Sequence, residues 1–345
     1  MSGSSVDGLD VVAVDFHDIN NHTNFTIKAC ETIPYPEAWT EKLHNAFFLN
    51  TQQLEFLDIE YGSLLGQMTH DFIDQHNIKP LLVASHGHTI FHKPEERFTL
   101  QIGNGQSIAD RCCCMVINDF RSEDVAKGGQ GAPLVPIGDK YLFTEYTTCL
   151  NIGGIANLSY DNDGKRIAYD ICIANQALNY LSKKIGLPYD DKGHIARSGN
   201  IVEILLKQLN DNSFFLLSPP KSLGREYFDN NILPLLEHSS SPIADLLCTI
   251  TEHIAIQIAT TLQHAPKGQV LTTGGGAFNS YLLERIRHHS DHELIVPNND
   301  IVNFKEALIF AYLGFLKYHG FTNVLSSVTG AISDSSSGKI WRPSC

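Results

Sequence analysis

The stretch TTCLNIGGIANLSYDNDGKRIAYD, residues 147–170, decides the fold of this chain. It contains three short runs rich in apolar and β-branched residues, and such runs predict β-strands. Gly153-Gly154 and Asn162-Asp163-Gly164 separate the runs and are typical of hairpin turns. The predicted strands are Thr147–Ile152, Ile155–Tyr160 and Arg166–Asp170.

Outside this stretch, short apolar runs alternate with longer segments that have helical spacing. Each of the additional predicted strands leads into a loop of small or polar residues. The last predicted helix is apolar nearly all round, as a helix buried between layers would be. The alternation predicts an α/β protein. The additional strands are Leu9–Phe16, Leu81–Ala84, Cys113–Ile117 and Val270–Thr272, and the helices are Leu43 to about Gln75, a helix capped by Asp245, and Phe304–Tyr318.

Length and charge limit the class of protein. The 345 residues exceed what one hydrophobic core usually organises, so we expect two domains, with Gly128–Pro133 as a candidate boundary. The chain has 25 Lys and Arg against 38 Asp and Glu, which gives a net charge of −13. Because the basic residues are also scattered, we expect no nucleic-acid partner.

Targeting signals and cysteine spacing indicate the compartment. No run of about 18 apolar residues is present, and the N-terminal residues lack the pattern of a signal peptide. The eight cysteines include no C-x2-C pair, and Cys112, Cys113 and Cys114 are consecutive, which disfavours disulfides and structural zinc. We therefore expect reduced thiols, a cytoplasmic location and no membrane partner.

Three glycine-rich segments contain features of a nucleotide-binding site. Residues 3–10 join small residues, hydroxyl groups and carboxylates, residues 151–157 form a turn, and residues 272–279 follow a strand. Taken by itself, each segment has a simpler explanation, such as a solvated tail or a plain hairpin. Because they lie in both halves of the chain, together they predict a nucleotide in a cleft between two domains.

Several polar residues follow predicted strands. His86, His88 and His92 are spaced so that a zinc site is one interpretation, and polar contacts of a loop or contacts with substrate are the other. Arg121 is suited to bind a carboxylate or phosphate, or to form an ion pair with Asp124.

Two further features are equally open to two interpretations. Asp170 ends a predicted strand, where it can act as a general base in a cleft or as a helix cap. The loop PPKSLGRE, residues 219–226, is stiff and basic, and it either reaches an anionic substrate or closes an edge.

Eight segments occur in an order that identifies a family. Together they closely resemble the anhydro-N-acetylmuramic acid kinase family from Met1 to about Ala331, and the block NDFR…GGQGAPLVP is the most specific part. The segments are MSGSSVDGLD (1–10), SHGHTIFH (85–92), NDFRSEDVAKGGQGAPLVPIGD (118–139), NIGGIANLSY (151–160), SPPKSLGREYF (218–228), DLLCTITEHIA (245–255), TTGGGAFN (272–279) and FKEALIFAYL (304–313).

The resemblance implies a two-domain actin-like ATPase fold with an interdomain cleft, within the actin–hexokinase–Hsp70 superfamily. Residues 1–126 and 301–345 would form the N-terminal domain, with the first phosphate loop and the sugar side, closed by the C-terminal helix. Residues 127–300 would form the second domain, with the second phosphate hairpin and the adenosine side. The resemblance also suggests a homodimer.

The resemblance further implies a reaction of peptidoglycan recycling. ATP would phosphorylate O6 of 1,6-anhydro-N-acetylmuramic acid while water opens the anhydro bridge, which yields N-acetylmuramic acid 6-phosphate. Such a reaction needs a base for the water, and Mg²⁺ with backbone donors for the transferred phosphoryl group.

The roles implied by the resemblance fall on individual residues. The base that activates water falls on Asp170, and Glu306 returns from the C-terminal helix as a second catalytic residue. Mg²⁺ would be bound through ATP with the help of Asp7 or Asp10, and no protein ligands to zinc are implied. The implied cofactor-binding residues are Gly3, Ser4, Ser5, Asp7, Gly8, Asp10, Asn151, Gly153, Gly154, Gly274, Gly275, Gly276 and Asn279. The implied substrate-binding residues are His86, Asp119, Arg121, Asp124 and Asn175.

The sequence departs from the family pattern at four places. Ser4 stands where threonine is usual, and His88 where glutamine is usual. The usual Asp-Thr-Gly-Pro-Gly-Asn is replaced by the segment DICIAN, residues 170–175, which removes glycines beside the sugar. The strand that precedes the first loop in the family has no counterpart, which predicts an open edge on the first sheet.

These departures define the alternatives to the kinase. One is a catalytically silent ATP-binding paralogue that acts through conformation or partner contacts. Another is a kinase for a different sugar. A zinc hydrolase that uses His86, His88 and His92 is the third.

Overall fold

The computed structural model describes residues 1–2, 6, 8–17 and 23–344. The chain forms two compact units, and the first unit is discontinuous in sequence. The first unit consists of Met1–Leu142 and Phe304–Cys345, and the second of Phe143–Asn303.

The first border between the units differs from the predicted border at residue 127. Residues 127–142 belong to the first unit because its side chains hold them. The N–H of Gly131 donates a hydrogen bond to Asp124 at 2.7 Å. The ammonium group of Lys305 forms a buried ion pair with Asp139 at 3.0 Å.

The described residues contain twelve strands in four sheets. All seven predicted strands are confirmed, although several ends are displaced. The strands are β1 (Gly8–His17), β2 (Asn24–Pro34), β3 (Val83–Ala84), β4 (His88–Lys93), β5 (Phe98–Ile102), β6 (Val116–Asn118), β7 (Thr148–Ile152), β8 (Ile155–Asn162), β9 (Lys165–Ile173), β10 (Gln269–Thr273), β11 (Glu293–Ile295) and β12 (Lys339–Trp341).

The helices alternate with these strands, which gives the predicted α/β class. Within the same described ranges they are α1 (Glu37–Asn45), α2 (Thr51–Gln75), α3 (Gly105–Cys112), α4 (Ser122–Ala126), α5 (Pro136–Leu142), α6 (Asn175–Lys183), α7 (His194–Ser198), α8 (Glu203–Asn210), α9 (Arg225–Tyr227), α10 (Leu233–His238), α11 (Ile243–Leu262), α12 (Ser280–His289), α13 (Asn299–Tyr318) and α14 (Ser326–Thr329).

Two predictions about helices are wrong. The helix expected from Leu43 is interrupted, because Asn50 and Gln53 form a reciprocal capping box that starts α2 at Thr51. Asp245 does not cap α11, which begins two residues earlier at Ile243. The Asp245 carboxylate instead accepts a hydrogen bond from the N–H of Asn200 at 2.7 Å.

The second unit is built on a five-stranded sheet. Its strand order is β11-β10-β7-β8-β9. β7, β8 and β9 are successive antiparallel neighbours, as residues 147–170 predict, whereas β10 pairs in parallel with β7 and β11. An antiparallel meander extended by parallel strands on one side is the topology of the predicted actin-like fold.

Helix α11 is the central helix of the second unit. Its residues Ile250, Ile254 and Ile258 belong to the core that also contains Leu150 and Leu158 of the sheet. Within the described residues it is the one helix long and apolar enough to cross a membrane, and 72% of its apolar stretch is buried inside the protein. Packing in the core of this unit accounts for its apolar character.

The first unit contains three small sheets. β1 and β2 form an antiparallel pair, β3 and β12 flank β6, and β4 pairs with β5. Tyr61 of α2 is fully buried in the core, together with Ile108 of α3 and Val116 of β6. This core holds the carboxyl ends of β3 and β6, which lead into the segments SHGH and NDFR.

A cavity of about 480 Å³ lies along β1 in the first unit. It is lined by Leu9–His17 on one side and by Leu81–Ser85 on the other, and Phe72 and Phe310 contribute apolar walls. β2 occupies one edge of β1, and beyond Asp10 no described strand pairs with the other edge. Among the described residues, this edge of β1 is therefore unpaired beyond Asp10.

Candidate active site

The first glycine segment lies partly outside the described residues. The predicted ATP contacts Gly3, Ser4, Ser5 and Asp7 are outside them. Ser2, which directly precedes the segment, forms an antiparallel bridge with Leu9. Ser2 Oγ also lies 3.1 Å from Nδ1 of His88, which connects the start of the chain to the SHGH segment.

Gly8 and Asp10, at the start of β1, are described. A Cβ on Gly8 would lie 2.7 Å from the carbonyl oxygen of Ile33, so only glycine fits beside β2. The Asp10 carboxylate accepts a hydrogen bond from Thr32 Oγ1 at 2.6 Å, and the N–H of Asp10 donates to the carbonyl oxygen of Met1 at 2.9 Å. These bonds fix the Asp10 carboxylate on the first unit.

His86 and Arg121 form a buried pair at the ends of β3 and β6. Nε and Nη2 of Arg121 lie 3.0 and 2.9 Å from Nε2 of His86, whose Nδ1 lies 3.0 Å from the carbonyl oxygen of Gly87. The imidazole therefore donates from Nδ1 and accepts at Nε2, which is the neutral tautomer. Burial, together with the Arg121 charge, holds the pKa of His86 well below its usual range. Because His86 is neutral, the pair carries one net positive charge, and the hydrogen bonds hold the Arg121 guanidinium group that carries it in place.

Asp124 is placed differently from the prediction. Its side chain is fully buried, and its two oxygens accept hydrogen bonds from the N–H of Gly131 and the hydroxyl of Thr329, both at 2.7 Å. Nη1 of Arg121 donates to the carbonyl oxygen of the same Gly131 at 2.8 Å. Asp124 and Arg121 thus hold one residue of the GGQGAP loop from two sides. Both oxygens of Asp124 are thus engaged in anchoring this loop, and its contact with a sugar stays a prediction.

Asp119 and Glu306 are the remaining predicted site carboxylates of the first unit. Asp119 has a positive φ of 57° and pairs with the exposed Lys339 at 2.8 Å. Glu306 lies on α13. Enough of the protein surrounds it that burial raises its pKa, whereas the Arg121 charge opposes this rise. Glu306 and Arg121 therefore interact electrostatically on the same unit.

A row of polar side chains crosses the sheet of the second unit. Thr273 of β10 is the register partner of Asn151 of β7, which faces Asn157 of β8, which in turn faces Asp170 of β9. Directly opposed residues of neighbouring strands project from the same face of a sheet. Four adjacent strands therefore present one polar row. Asn151 and Asp170 were predicted individually, whereas Asn157 and Thr273 were predicted only as members of the segments 151–157 and 272–279.

The second glycine hairpin contacts the start of α6. The N–H of Asn175 donates to the carbonyl oxygen of Gly153 at 3.1 Å, and that of Ala174 donates to Gly154 at 2.8 Å. The Asn175 side chain donates to the carbonyl oxygen of Ile152 at 3.1 Å. Asn175, predicted to bind substrate, is therefore the residue that fastens the hairpin to α6.

The third glycine segment lies against the same hairpin. A Cβ on Gly274 would lie 2.7 Å from Oδ1 of Asn151, and one on Gly276 would lie 2.2 Å from the side chain of Ile152. Gly275 is exposed, and a Cβ there would meet only Asn175, at 3.6 Å. The second unit thus brings together the glycines that the resemblance assigns to the second phosphate hairpin and to adenosine.

Asn279, predicted to bind the cofactor, has a local role in the structure. Its Oδ1 accepts a hydrogen bond from the N–H of Leu282 at 3.0 Å, which caps the N-terminus of α12. A Cβ on Gly193 would lie 2.4 Å from the same oxygen. The side chain is nearly buried, so it anchors the end of the glycine loop.

Asp170 lies within β9 and not at its end, because Ile171, Cys172 and Ile173 continue the strand into the core. One carboxylate oxygen accepts a hydrogen bond from the N–H of Leu223 at 2.8 Å. Burial raises the pKa of Asp170, and the bond from Leu223 opposes the rise. Residues 171–173 of the DICIAN segment thus form the apolar end of β9 and fill the core, while Asp170 keeps its carboxylate in the polar row.

The three histidines considered for zinc do not share a site. His86 is engaged by Arg121, Nδ1 of His88 faces Ser2, and Nδ1 of His92 lies 3.2 Å from Thr99 Oγ1. Within the described ranges no three His, Cys, Asp or Glu side chains are grouped so that they could hold a metal ion. The spacing of these residues reflects a strand and its loop.

The comparison with protein families decides between the alternatives. A sequence model described as anhydro-N-acetylmuramic acid kinase matches residues 1–343. This chain belongs to the anhydro-N-acetylmuramic acid kinase family. A relative of that name from Sulfurimonas denitrificans is 31% identical and is matched over 99% of this chain and 98% of its own length.

Two further relatives with the same name agree. The anhydro-N-acetylmuramic acid kinase of Synechococcus elongatus is 32% identical, over 96% of this chain and 95% of its own length. The anhydro-N-acetylmuramic acid kinase of Vibrio cholerae is 33% identical, over 99% and 97%. Matches over nearly the whole length favour this family over a zinc hydrolase or a silent paralogue.

Proposed function

We propose that this chain is an ATP-dependent kinase that opens the anhydro ring of 1,6-anhydro-N-acetylmuramic acid and phosphorylates O6. The bond between C1 and the bridging oxygen breaks, water oxygen binds C1, and the freed O6 takes the γ-phosphoryl group of ATP. The products are N-acetylmuramic acid 6-phosphate and ADP. Family membership across the whole chain supports the reaction, and the carboxylate of Asp170 in the polar row is the observation that carries the mechanism.

Asp170 is proposed as the base that takes the proton of the attacking water. A general base works best when its pKa approaches the operating pH, and burial raises the pKa of Asp170 in that direction. The N–H of Leu223 donates a hydrogen bond to one carboxylate oxygen, and the other oxygen accepts no hydrogen bond from the described residues. That oxygen is available to a water molecule.

Arg121 and Glu306 are proposed to act on the sugar from the first unit. N-acetylmuramic acid carries a carboxylate, and a guanidinium group is the side chain best suited to bind it. The bonds to His86 and Gly131 hold the Arg121 guanidinium in place before substrate arrives. Glu306, with its raised pKa, is placed to exchange a proton with a hydroxyl or the bridging oxygen.

ATP is proposed to bind at the glycine segments. Gly153, Gly154 and Gly275 leave backbone exposed or half-exposed, so their N–H groups are accessible to phosphate oxygens or to a flat base. Among the described residues, Asp10 would hold Mg²⁺, since one of its oxygens is fixed by Thr32 and carboxylates are preferred ligands of Mg²⁺. Mg²⁺ would neutralise charge on the transferred phosphoryl group.

The substitution Asp170→Asn tests this proposal. It keeps the size of the side chain and removes the base, so we expect loss of 6-phosphate formation by a factor of about 10² to 10⁴ while ATP binding is retained. Asp163→Asn, in the exposed turn between β8 and β9, is the matched control and should leave the rate unchanged. Full turnover by the Asp170→Asn variant would show that another group is the base.

Location and assembly are separate expectations. The cytoplasmic location, the homodimer and the absence of nucleic-acid and membrane partners remain predictions from the sequence.

A further inference from the structure

We infer that the loop Pro219–Gly224 positions the Asp170 carboxylate, with Leu223 as its hydrogen-bond donor and Lys221 as the anchor of the loop. The inference rests on the proposed function only in calling Asp170 the base. It gives a role to the SPPKSLGREYF motif, which the proposed reaction leaves unused.

The loop binds Asp170 at two points. The N–H of Asp170 donates to the carbonyl oxygen of Lys221 at 3.1 Å, and the N–H of Leu223 donates to Oδ2 of Asp170 at 2.8 Å. β9 is the last strand of its sheet, so its outer edge is open to such a loop. The first bond fixes the backbone of Asp170 and the second fixes its side chain, which together select one orientation of the carboxylate.

Lys221 holds the loop in this position. Its ammonium group donates to the carbonyl oxygen of Phe214 at 3.2 Å and lies 4.7 Å from the centre of the Phe214 ring. It also lies 5.9 Å from the ring of Tyr169, the residue before Asp170. Cation–π contacts of a partly desolvated lysine contribute to ordering its surroundings. The lysine therefore connects the loop to β9 and to the segment around Phe214.

The bond from Leu223 has a consequence for proton transfer. A donor to the charged form of a carboxylate lowers its pKa, and here it opposes the effect of burial. Loss of this donor should raise the pKa of Asp170 further. A purely structural loop would change stability on removal, but it would not move the pH at which the base titrates.

Leu223→Pro and Leu223→Ala form a matched pair that tests the donor. Both remove the leucine side chain, but only proline removes the N–H. The acid limb of the pH profile of kcat, measured with MgATP and the anhydro sugar, should move up by about one pH unit in Leu223→Pro, with kcat reduced about tenfold. In Leu223→Ala the limb should not move. An unmoved limb in folded Leu223→Pro would overturn the inference.

Lys221 provides the second test, which decides the question if Leu223→Pro does not fold. Lys221→Met should move the acid limb in the same direction, and Lys221→Arg should restore it, because arginine keeps the charge and the contacts with the rings. An unmoved limb in Lys221→Met would overturn the inference equally.

One readout separates this inference from the proposed function. The pKa of Asp170 can be followed by NMR of ¹³C-labelled carboxyl groups without substrate, with Asp170→Asn used to assign the signal. If wild-type protein makes no 6-phosphate but the pKa still rises in Leu223→Pro or Lys221→Met, the proposed function fails and the positioning stands. If product forms and the pKa is unchanged in the variants, the positioning fails alone.

Discussion

Substitution of two neighbouring glycines, Gly274→Ala and Gly275→Ala, separates folding of the glycine loop from its contact with nucleotide. Gly274 has φ 81° and ψ 166°, a conformation almost confined to glycine. Its Cβ would lie 2.7 Å from Oδ1 of Asn151 and 2.8 Å from the carbonyl oxygen of Ile152. A Cβ on Gly275 would make one ordinary contact, at 3.6 Å from Asn175.

The expected cost of Gly274→Ala follows from these distances. An alanine in this backbone region costs about 1–3 kcal/mol. Overpacking against a carbonyl oxygen that cannot rotate away adds about 1–3 kcal/mol. We therefore expect the free energy of unfolding of the second unit to fall by about 2–6 kcal/mol. Gly275→Ala should change it by less than about 0.5 kcal/mol.

Urea unfolding measures the stability, and titration with ATP measures the binding. Gly275→Ala should keep wild-type stability and lose ATP affinity, because its methyl group would project from the exposed loop surface assigned to the nucleotide. Gly274→Ala should lose stability. Equal stability of the two variants would refute the account of the loop geometry, and unchanged ATP affinity in Gly275→Ala would refute the assignment of the loop to ATP.

Two other perturbations test separate parts of the structure by unfolding measurements. Arg285→Ala removes a bidentate partner of the buried Glu252 and should lower the free energy of unfolding by about 3 kcal/mol. Arg225→Ala, in an exposed ion pair, is the control and should lower it by less than about 1 kcal/mol. Equal losses would contradict the difference in burial between the two pairs. Burial lowers the pKa of His253 from 6.5 to about 3, so the unfolded chain binds the extra proton between these values. Stability should therefore fall by about 1.4 kcal/mol per pH unit as pH falls below about 6, and an unchanged slope in His253→Gln would contradict this cause.

The parts of the fold that depend on local sequence were predictable. β7, β8 and β9 are neighbours in sequence and in the sheet, so their hairpin turns were sufficient to predict them. The end of β9 was not predicted correctly. The family pattern places a glycine turn after Asp170, whereas in this chain Ile171 and Ile173 continue the strand and fill the core. β12 was missed because it is three residues long and pairs with a strand more than 200 residues away.

The candidate site was predictable in its glycines and less so in its polar side chains. The positive φ of Gly274 is a property of the local backbone, which a triple glycine indicates. The anchoring role of Asp124, in contrast, was not predictable, because its partner Thr329 lies 205 residues away in the sequence. Asn157 could have been predicted individually as a member of the polar row, since the short Gly153-Gly154 turn places it opposite Asn151. The bond from Leu223 to Asp170 depends on a loop 53 residues distant and left no signal in spacing.

Incorporation of oxygen from ¹⁸O-labelled water tests the central claim most directly. Wild-type protein is incubated with 1,6-anhydro-N-acetylmuramic acid and MgATP in labelled water, and the product is analysed by mass spectrometry. The account predicts N-acetylmuramic acid 6-phosphate with one ¹⁸O, located at C1, because water bonds to C1 while the bridging oxygen leaves as O6. A phosphorylated product that retains the anhydro bridge, or a 6-phosphate without label at C1, would contradict it.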